Sequence, residues 1–576
     1  MLEKRIAKAK RNVQKVRLAR DALKSGARFM TAEARRGTLV PNLVGLLRQG
    51  QMTRDMAWSD LLEEQAARIP DKTFLYYKDE TFTYREMDEN ANRVAHLLAR
   101  LGAGRQKGIG IYMRNSPRFL DVFFAAQKLS MYVVPINAEL MGDGLAYILE
   151  HSEIALLAAD AELLPRLEAL GKLPKNIGTL LVDDMDSEGD VPKDAHRLSA
   201  AYAPDVPKNR PAAVRDPDDL CLIMYTSGTT GPPKGVVYTY NTTRVKLLSL
   251  LGGILVRPDD VYYTAFALCH GNAMFLTVTL AMSQGASVAL SRRFSSSRFW
   301  DEVNRYGATI FNTLGSVIPI LMKQPEKPTD RDNKVRVVLS AACPANMWEP
   351  FEKRFGVKIY EGYGAVDSGG RGIMNLGTAP VGSLGKPGGR GGVKVVDEQG
   401  NEVPPGVPGE LIFRVKEKKS PVAYFKNEEA TSKKVRDGWM YTGDLVKKDE
   451  EGFLYFVGRN TESMRRGGEN VSAYEVEHVI MKHPDVEEAA VYAVPSELAE
   501  DEIMASVLPV EGKKLAPADL LAWLDGKLAK YAIPRYVRMV DSLPKTNTHR
   551  VIKGGLEKEG VTEDTWDARK GGYAGE

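Results

Sequence analysis

Cysteine is almost missing from this chain: there are three in 576 residues, Cys221, Cys269 and Cys343, and none forms a CxxC pair. That excludes a disulfide framework and a thiolate zinc site, and it fits a reducing compartment, so a cytoplasmic location is expected. No uncharged apolar run reaches the ~18 residues that a spanning helix needs, and the basic first residues lack the apolar core of a signal peptide. A large surplus of one charge is also lacking. The 79 Lys and Arg stand against 75 Asp and Glu, a formal net charge of +4, which excludes a uniformly basic nucleic-acid binder and a highly charged disordered chain. No repeat of 20–50 residues is visible, so solenoids and propellers drop out.

What remains is an ordinary globular composition, 43% apolar and 27% charged, in a chain too long for one hydrophobic core. The charge is unevenly placed. Residues 1–55 carry 14 Lys and Arg against four acids, which marks them as a separate extension. Within it, Ile6, Val13, Val16 and Leu23 place a thin apolar stripe on a basic helix. Such a helix either lies peripherally on an anionic membrane surface or packs as a solvated helix on its own domain, and both readings stay open.

From residue 57 to 445, helical and strand-like segments alternate. Helices are expected at 58–67, 84–101 and 119–128, and strands at 108–113, 131–136, 154–158, 179–182, 220–225, 287–290 and 335–340. Alternation of this kind indicates βα units and parallel sheets. Between 380 and 414, glycine and proline increase and short alternating strands appear at 393–396 and 409–415, the pattern of a β-rich subdomain. After 458 the pattern is α+β, with helices at 472–482 and 517–530 and strands at 487–494 and 504–509. The expected fold is α/β: a basic extension (1–55), a large N-terminal domain of layered sheets and helices with the β-rich subdomain (56–458), and a small α+β C-terminal domain (459–576).

One run decides the chemistry. Met224-Tyr225-Thr226-Ser227-Gly228-Thr229-Thr230-Gly231-Pro232-Pro233-Lys234-Gly235 follows an expected strand. Gly228 and Gly231 free the backbone to turn N–H groups toward an anion, the hydroxyls of Thr226, Ser227, Thr229 and Thr230 add donors, and Lys234 adds a point charge. This is a phosphate-handling loop, yet not a Walker loop, whose spacing is absent.

The segment closely resembles the signature loop of the adenylate-forming superfamily, which contains acyl-CoA synthetases, the adenylation domains of peptide synthetases and firefly luciferase. Three further stretches resemble the same family in the same order. Tyr360-Glu361-Gly362-Tyr363-Gly364-Ala365-Val366-Asp367 is similar to its adenine and magnesium motif, and Tyr441-Thr442-Gly443-Asp444 to its ribose motif. Gly458-Arg459 and Arg466-Gly467-Gly468-Glu469-Asn470-Val471 are similar to its hinge and its first C-terminal strand and loop. The segments 293–301, 466–472 and 560–567 resemble the branch of fatty-acid transport proteins and carnitine-type or long-chain acyl-CoA ligases. His270, in Leu268-Cys269-His270-Gly271-Asn272-Ala273, matches the family's histidine near the substrate carboxylate; a buried structural histidine is the other reading.

The resemblance implies a two-step reaction with ATP, Mg²⁺ and coenzyme A, and a C-terminal domain that is mobile between the steps. A carboxylate attacks the α-phosphate of ATP to give acyl-AMP and pyrophosphate, and the thiol of coenzyme A then displaces AMP. It implies an adenine face on Tyr363 with Glu361, Gly362 and Gly364 around it, a ribose clamp from Asp444 and Arg459, Mg²⁺ on Asp367, and Gly468 among the nucleotide-site residues. Apolar segments at 310–321 and 339–342 suggest a medium- to long-chain or similar apolar acid. Three positions depart from the family. Arg550 stands where the family carries its adenylation lysine, with Lys545 and Lys553 at flanking positions; Val366 stands for a threonine; Asp367 stands for a longer glutamate. The departures leave three alternatives beside the acyl-CoA synthetase: an acyl-AMP ligase that loads another acceptor, a weakly catalytic nucleotide- or acyl-binding homologue, and an enzyme that only forms the thioester from acyl-AMP made elsewhere.

Overall fold

The structure, a computed structural model, describes residues 56–571 except 141, 227–232, 241–243, 315–316, 388–391, 416–421, 460–462, 467–468, 496–500, 526, 529–531 and 547–550. The extension 1–55 therefore lies outside the described residues. The chain divides into two compact units, one of residues 1–227, 232–382 and 417–434, the other of 228–231, 383–416 and 435–576.

The first unit is built on two large sheets. One has eight strands, and its parallel core runs Ile359–Gly364, Val337–Ala341, Ile310–Leu314, Val261–Thr264, Ser287–Leu290 and Thr73–Tyr77. The other has seven, with Thr179–Asp183, Leu156–Asp160, Gly108–Tyr112, Tyr132–Pro135 and Leu220–Thr226 parallel and Lys234–Thr239 antiparallel at its edge. The strands are short apolar runs buried on both faces, as parallel strands covered by helices must be. Gly110 shows how closely they are covered: an added Cβ would lie 2.6 Å from Ile154 Cδ1. Helices Trp58–Arg68, Tyr84–Arg100 and Pro117–Lys128 form close to where their periodicity put them. Thr83 and Glu86 cap the second with a reciprocal box, which satisfies two of its otherwise orphaned N–H groups.

The second unit holds the glycine-rich sheet (Val393–Val396, Pro408–Arg414, Trp439–Lys448, Val435–Arg436 and Leu454–Arg459) and a four-stranded sheet led by Val486–Pro495 and Asp501–Pro509. Ala473–Ile480 and Pro517–Leu524 pack on the four-stranded sheet around Val476, Leu520 and Leu521.

Several boundaries differ from the sequence reading by two residues or more, and two of them are instructive. The strand expected at 154–158 runs Leu156–Asp160, because Asp160 stays inside the protein by accepting from the Arg114 N–H (2.9 Å) and pairing with Arg292 (3.2 Å). The helix expected to run to 530 ends at Leu524, where Asp525 turns to extended backbone.

Charge is also buried in the first unit. Lys128 is fully enclosed and pairs with Glu63 and with Asp88, the latter at 2.7 Å. Removing the ammonium leaves two carboxylates facing each other in a shielded place. Lys128→Ala is expected to cost about 3 kcal/mol, read as a lower denaturation midpoint for the first unit; a midpoint within ~0.5 kcal/mol of wild type would show that the pair carries no weight.

Candidate active site

The parallel strands of the eight-stranded sheet all deliver their C-terminal ends to one edge, where ligands bind in open α/β sheets. Strand Val261–Thr264 leads to the turn carrying His270, Val337–Ala341 leads to Ala342 and Cys343, and Ile359–Gly364 contains Glu361, Gly362, Tyr363 and Gly364 and leads to Val366 and Asp367.

Glu361 does not point into open space. It is 3% exposed, and its two oxygens accept separately from the backbone N–H groups of Ala342 and Cys343, the second at 3.2 Å. Ala342 needs that hold, since its φ of +65° is costly for a residue with a Cβ. Burial pushes the Glu361 carboxyl up to about 7 against the pull of those N–H groups. Next to it, Tyr363 lies in register with Ile373 of the antiparallel strand Gly372–Asn375. Gly372 is obligatory there, because an added Cβ would sit 2.6 Å from the Tyr363 carbonyl oxygen. Around Gly362 and Gly364, by contrast, an added Cβ would meet nothing nearer than 3.8 Å, so room is left on the tyrosine's flanks.

His270 opens the single helical turn Gly271–Ala273, which continues as a π-helix, Met274–Thr279. The wide turn is held by the Thr279 hydroxyl, which donates to the Met274 carbonyl and accepts from Trp58 Nε1, both at 2.8 Å. Insertions of this kind cluster at functional sites. His270 Nε2 is buried with no hydrogen-bond partner among the described residues, and burial holds the imidazole below the usual histidine value, favouring its neutral form. The turn abuts the other motif: a Cβ at Gly271 would lie 3.0 Å from Val366 Cγ1, and the Val366 carbonyl accepts from the Tyr238 hydroxyl at 2.7 Å.

The wall expected to be apolar contains an amide. Asn312, 2% exposed, donates to the Asn272 side chain and to Thr277 Oγ1, each at 2.9 Å, and accepts from the Tyr262 hydroxyl. The segment 310–321, read as apolar, thus carries one buried amide among its apolar residues. A buried amide persists only where its bonds are met, and here three elements meet them.

Thr226 and Lys234 are register partners at the ends of the hairpin strands Leu220–Thr226 and Lys234–Thr239, and the Thr226 hydroxyl donates to the Lys234 carbonyl at 3.3 Å. Ser227, Gly228, Thr229, Thr230 and Gly231 lie outside the described residues. The second strand pairs on its other side with residues 422–425, through Val237 N–H to Ala423 O (2.9 Å) and Phe425 N–H to Gly235 O (2.8 Å). That pairing sets Tyr424 beside Asp367, and Lys234 Nζ lies 5.6 Å from the Tyr424 ring centroid. Lys434 pairs with the same carboxylate. Sequence reasoning missed Tyr424 and Lys434; no local pattern marks two residues whose role is a contact 57 and 67 positions away. Asp367 offers a carboxylate and Thr226 a hydroxyl, hard oxygens of the kind Mg²⁺ takes, so the donor chemistry fits a nucleotide-borne ion.

In the second unit, Asp444 is 5% exposed and lies directly opposite Arg459 in the pairing of Trp439–Lys448 with Leu454–Arg459. The turn before it is fixed by Gly443, at φ +79°, whose N–H donates to Glu410 at 2.8 Å. Gly468 and Arg550 lie outside the described residues. Arg550 adjoins a bridge between Lys545 and Val551, and both flanking lysines are occupied, Lys545 by Glu488 and Lys553 by Glu477 at 2.8 Å.

The sequence matches the AMP-binding enzyme family over residues 62–417 and the AMP-binding enzyme C-terminal domain over 475–550. The chain belongs to the AMP-binding enzymes. A crotonobetaine/carnitine–CoA ligase of Salmonella arizonae is 31% identical over 526 residues, 88% of this chain and 99% of that one. An anthranilate CoA ligase solved with anthranoyl-AMP superimposes with a TM-score of 0.78 at 26% identity, over 89% of this chain and 98% of that one. ATP-bound MatB of Rhodopseudomonas palustris gives 0.75 at 25% identity, over 87% and 98%. The fold is thus the layered α/β architecture of this family, with a large N-terminal and a smaller C-terminal domain, and the protein is an AMP-forming acid–thiol ligase. Among the described residues no helix is long and apolar enough to cross a membrane.

The Glu361 clamp is testable through pH. Its folded pKa lies above the ordinary 4.5, so folding favours the protonated form; that stabilisation is complete below about pH 4.5 and is lost as pH rises through about 7. Glu361→Gln does not titrate and leaves one backbone N–H facing an amide NH₂. The gap in melting temperature between wild type and variant is expected to narrow from about pH 5 to about pH 8; a constant gap would contradict the raised pKa.

Proposed function

We propose that the protein activates a medium- to long-chain or similarly apolar carboxylic acid with ATP and Mg²⁺ and transfers the acyl group to coenzyme A. The observation that carries this reading is the convergence of the His270 turn, Val366 and Tyr363 on one sheet edge. The neutral imidazole of His270, lacking a partner at Nε2, suits a neighbour of the substrate carboxylate. The ring of Tyr363 suits stacking with adenine, with Gly362 and Gly364 leaving room and Glu361 holding the turn beside it. Thr226, Ser227, Gly228, Thr229, Thr230, Gly231 and Lys234 supply donors and charge for phosphate oxygens. Asp444 and Arg459 are the ribose-binding candidates, and Gly468 belongs to the C-terminal strand and loop of the same nucleotide chemistry. Mg²⁺, when bound, would be held by Asp367 and would neutralise phosphate charge.

Adenylation brings two anions together, so positive charge is required where the pentavalent phosphorus forms. Arg550 is the proposed source from the C-terminal domain, and the ion pairs of Lys545 and Lys553 support this by removing the nearest lysines as substitutes. The same observation favours a second reading, a ligase weak in adenylation or directed to another acceptor, because guanidinium is a wide fork where the family uses a compact ammonium.

The decisive assay follows pyrophosphate and acyl-CoA together, with Mg-ATP and coenzyme A, over straight-chain acids, aromatic acids and carnitine-type acids. Matched formation of both products with an apolar preference is expected, and Arg550→Ala is expected to lower the rate by about 100-fold or more. Pyrophosphate without acyl-CoA would point to another acceptor. No product from wild type, with both revived by Arg550→Lys, would establish the weak-adenylation reading.

Residues 1–55 are proposed to hold the protein peripherally on an anionic cytoplasmic membrane face. Full-length protein is expected to co-sediment with anionic vesicles at low salt and to be released as salt rises; equal sedimentation of a chain lacking 1–55 would remove the idea.

A further inference from the structure

The carboxylate expected to hold Mg²⁺ is already engaged. Asp367 Oδ2 accepts from the Tyr424 hydroxyl at 2.6 Å and from the Lys434 ammonium at 2.8 Å. Lys434 ends the helix Glu428–Lys434, next to Lys433. The two neighbours behave oppositely: the Lys433 side chain is 73% exposed and pairs with Glu429 on its own helix, whereas the Lys434 side chain is 11% exposed and turned in to Asp367. Lysine gives up that much solvent only for a specific anion. The segment that delivers it is fixed as well. The Tyr424 N–H donates to Thr431 Oγ1 at 2.9 Å, and the Thr431 hydroxyl donates to the Asn427 carbonyl at 2.8 Å, which ties the helix to the strand pairing that places Tyr424.

An ammonium and a divalent ion cannot share one carboxylate oxygen at no cost. Mg²⁺ binds oxygen at about 2.1 Å, and a resident positive charge at hydrogen-bond distance repels it. We propose that Lys434 is a positioning residue of the nucleotide site: it holds Asp367 before the nucleotide arrives and competes with the nucleotide's divalent cation for that carboxylate. Lys434 thereby raises the Mg²⁺ concentration the protein requires. Once Mg²⁺ takes Asp367, the displaced ammonium has a phosphate oxygen as its natural counter-ion. This inference rests on the nucleotide-binding reading above.

The test reads binding without turnover. With ATP fixed and neither acid nor coenzyme A present, Mg²⁺ is titrated and the nucleotide-dependent rise in melting temperature is followed for wild type, Lys434→Met, Lys434→Arg and Tyr424→Phe. Lys434→Met is expected to reach half its full shift at about five-fold less Mg²⁺ than wild type, the scale of a partly enclosed ion pair. Lys434→Arg, which keeps the charge, is expected to restore the wild-type requirement, and Tyr424→Phe to move it less than Lys434→Met does. Half-saturation of Lys434→Met within about two-fold of wild type, or above it, would overturn the proposal. So would a variant that melts early without nucleotide yet answers Mg²⁺ as wild type does, since that is a structural role alone. A wild-type chain with no shift at any Mg²⁺ concentration would overturn the nucleotide-binding reading and this inference together, whereas a shift with unchanged Mg²⁺ dependence overturns this inference only.

Discussion

The end of the first unit that carries Thr226, Lys234 and Asp367 depends on one strand being paired on both sides. Lys234–Thr239 lies between Leu220–Thr226 and residues 422–425, and Gly235 permits it: an added Cβ would lie 2.7 Å from Ile223 Cγ2 and 3.5 Å from Phe425 Cβ. A side chain at that position would push one neighbour away. Loss of the 225 side would move Thr226 from Lys234; loss of the 425 side would move Tyr424 and the helix carrying Lys434 away from Asp367. Backbone pairing, which is insensitive to ligand, therefore sets the distances on which ligand chemistry depends.

The same logic runs through the eight-stranded sheet. Three of the turns at the common edge are each held by a polar contact: Glu361 to the N–H groups of Ala342 and Cys343, Asn312 to Asn272 and Thr277, Tyr238 to the Val366 carbonyl. Turns would otherwise be the most mobile parts of the site. With their polar groups satisfied by the neighbouring turn, they hold one another, and an apolar wall alone would not do this because it has no directional preference.

Much of this was legible in the sequence, for a definite reason. The motifs around Thr226, Glu361 and Asp444 concentrate glycine, hydroxyl and carboxylate in contiguous stretches, and turn chemistry is local. Helices such as Tyr84–Arg100 carry their own caps and periodicity. The parts that were not legible are those fixed by distant partners. Val261–Thr264 and Ile310–Leu314 are apolar runs too short to separate strand from pocket wall. Asp160 extends its strand only because Arg114 and Arg292 meet its charge. Glu361 carries a family motif, yet its role as a clamp on Ala342 follows from strand register, and Lys434 looks like any exposed helix lysine until residues 422–425 are paired.

The positions that depart from the family can be weighed together on physical grounds. Asp367 has a shorter reach than glutamate, and its Oδ2 is held by the Tyr424 hydroxyl and the Lys434 ammonium. Val366 removes a hydroxyl, but its backbone carbonyl is anchored by Tyr238 and its side chain fills the space beside Gly271. The substitution therefore removes a hydroxyl beside the His270 turn. Arg550 brings a charge that stays on at every working pH and spreads over a plane, suited to bridging two oxygens on different groups.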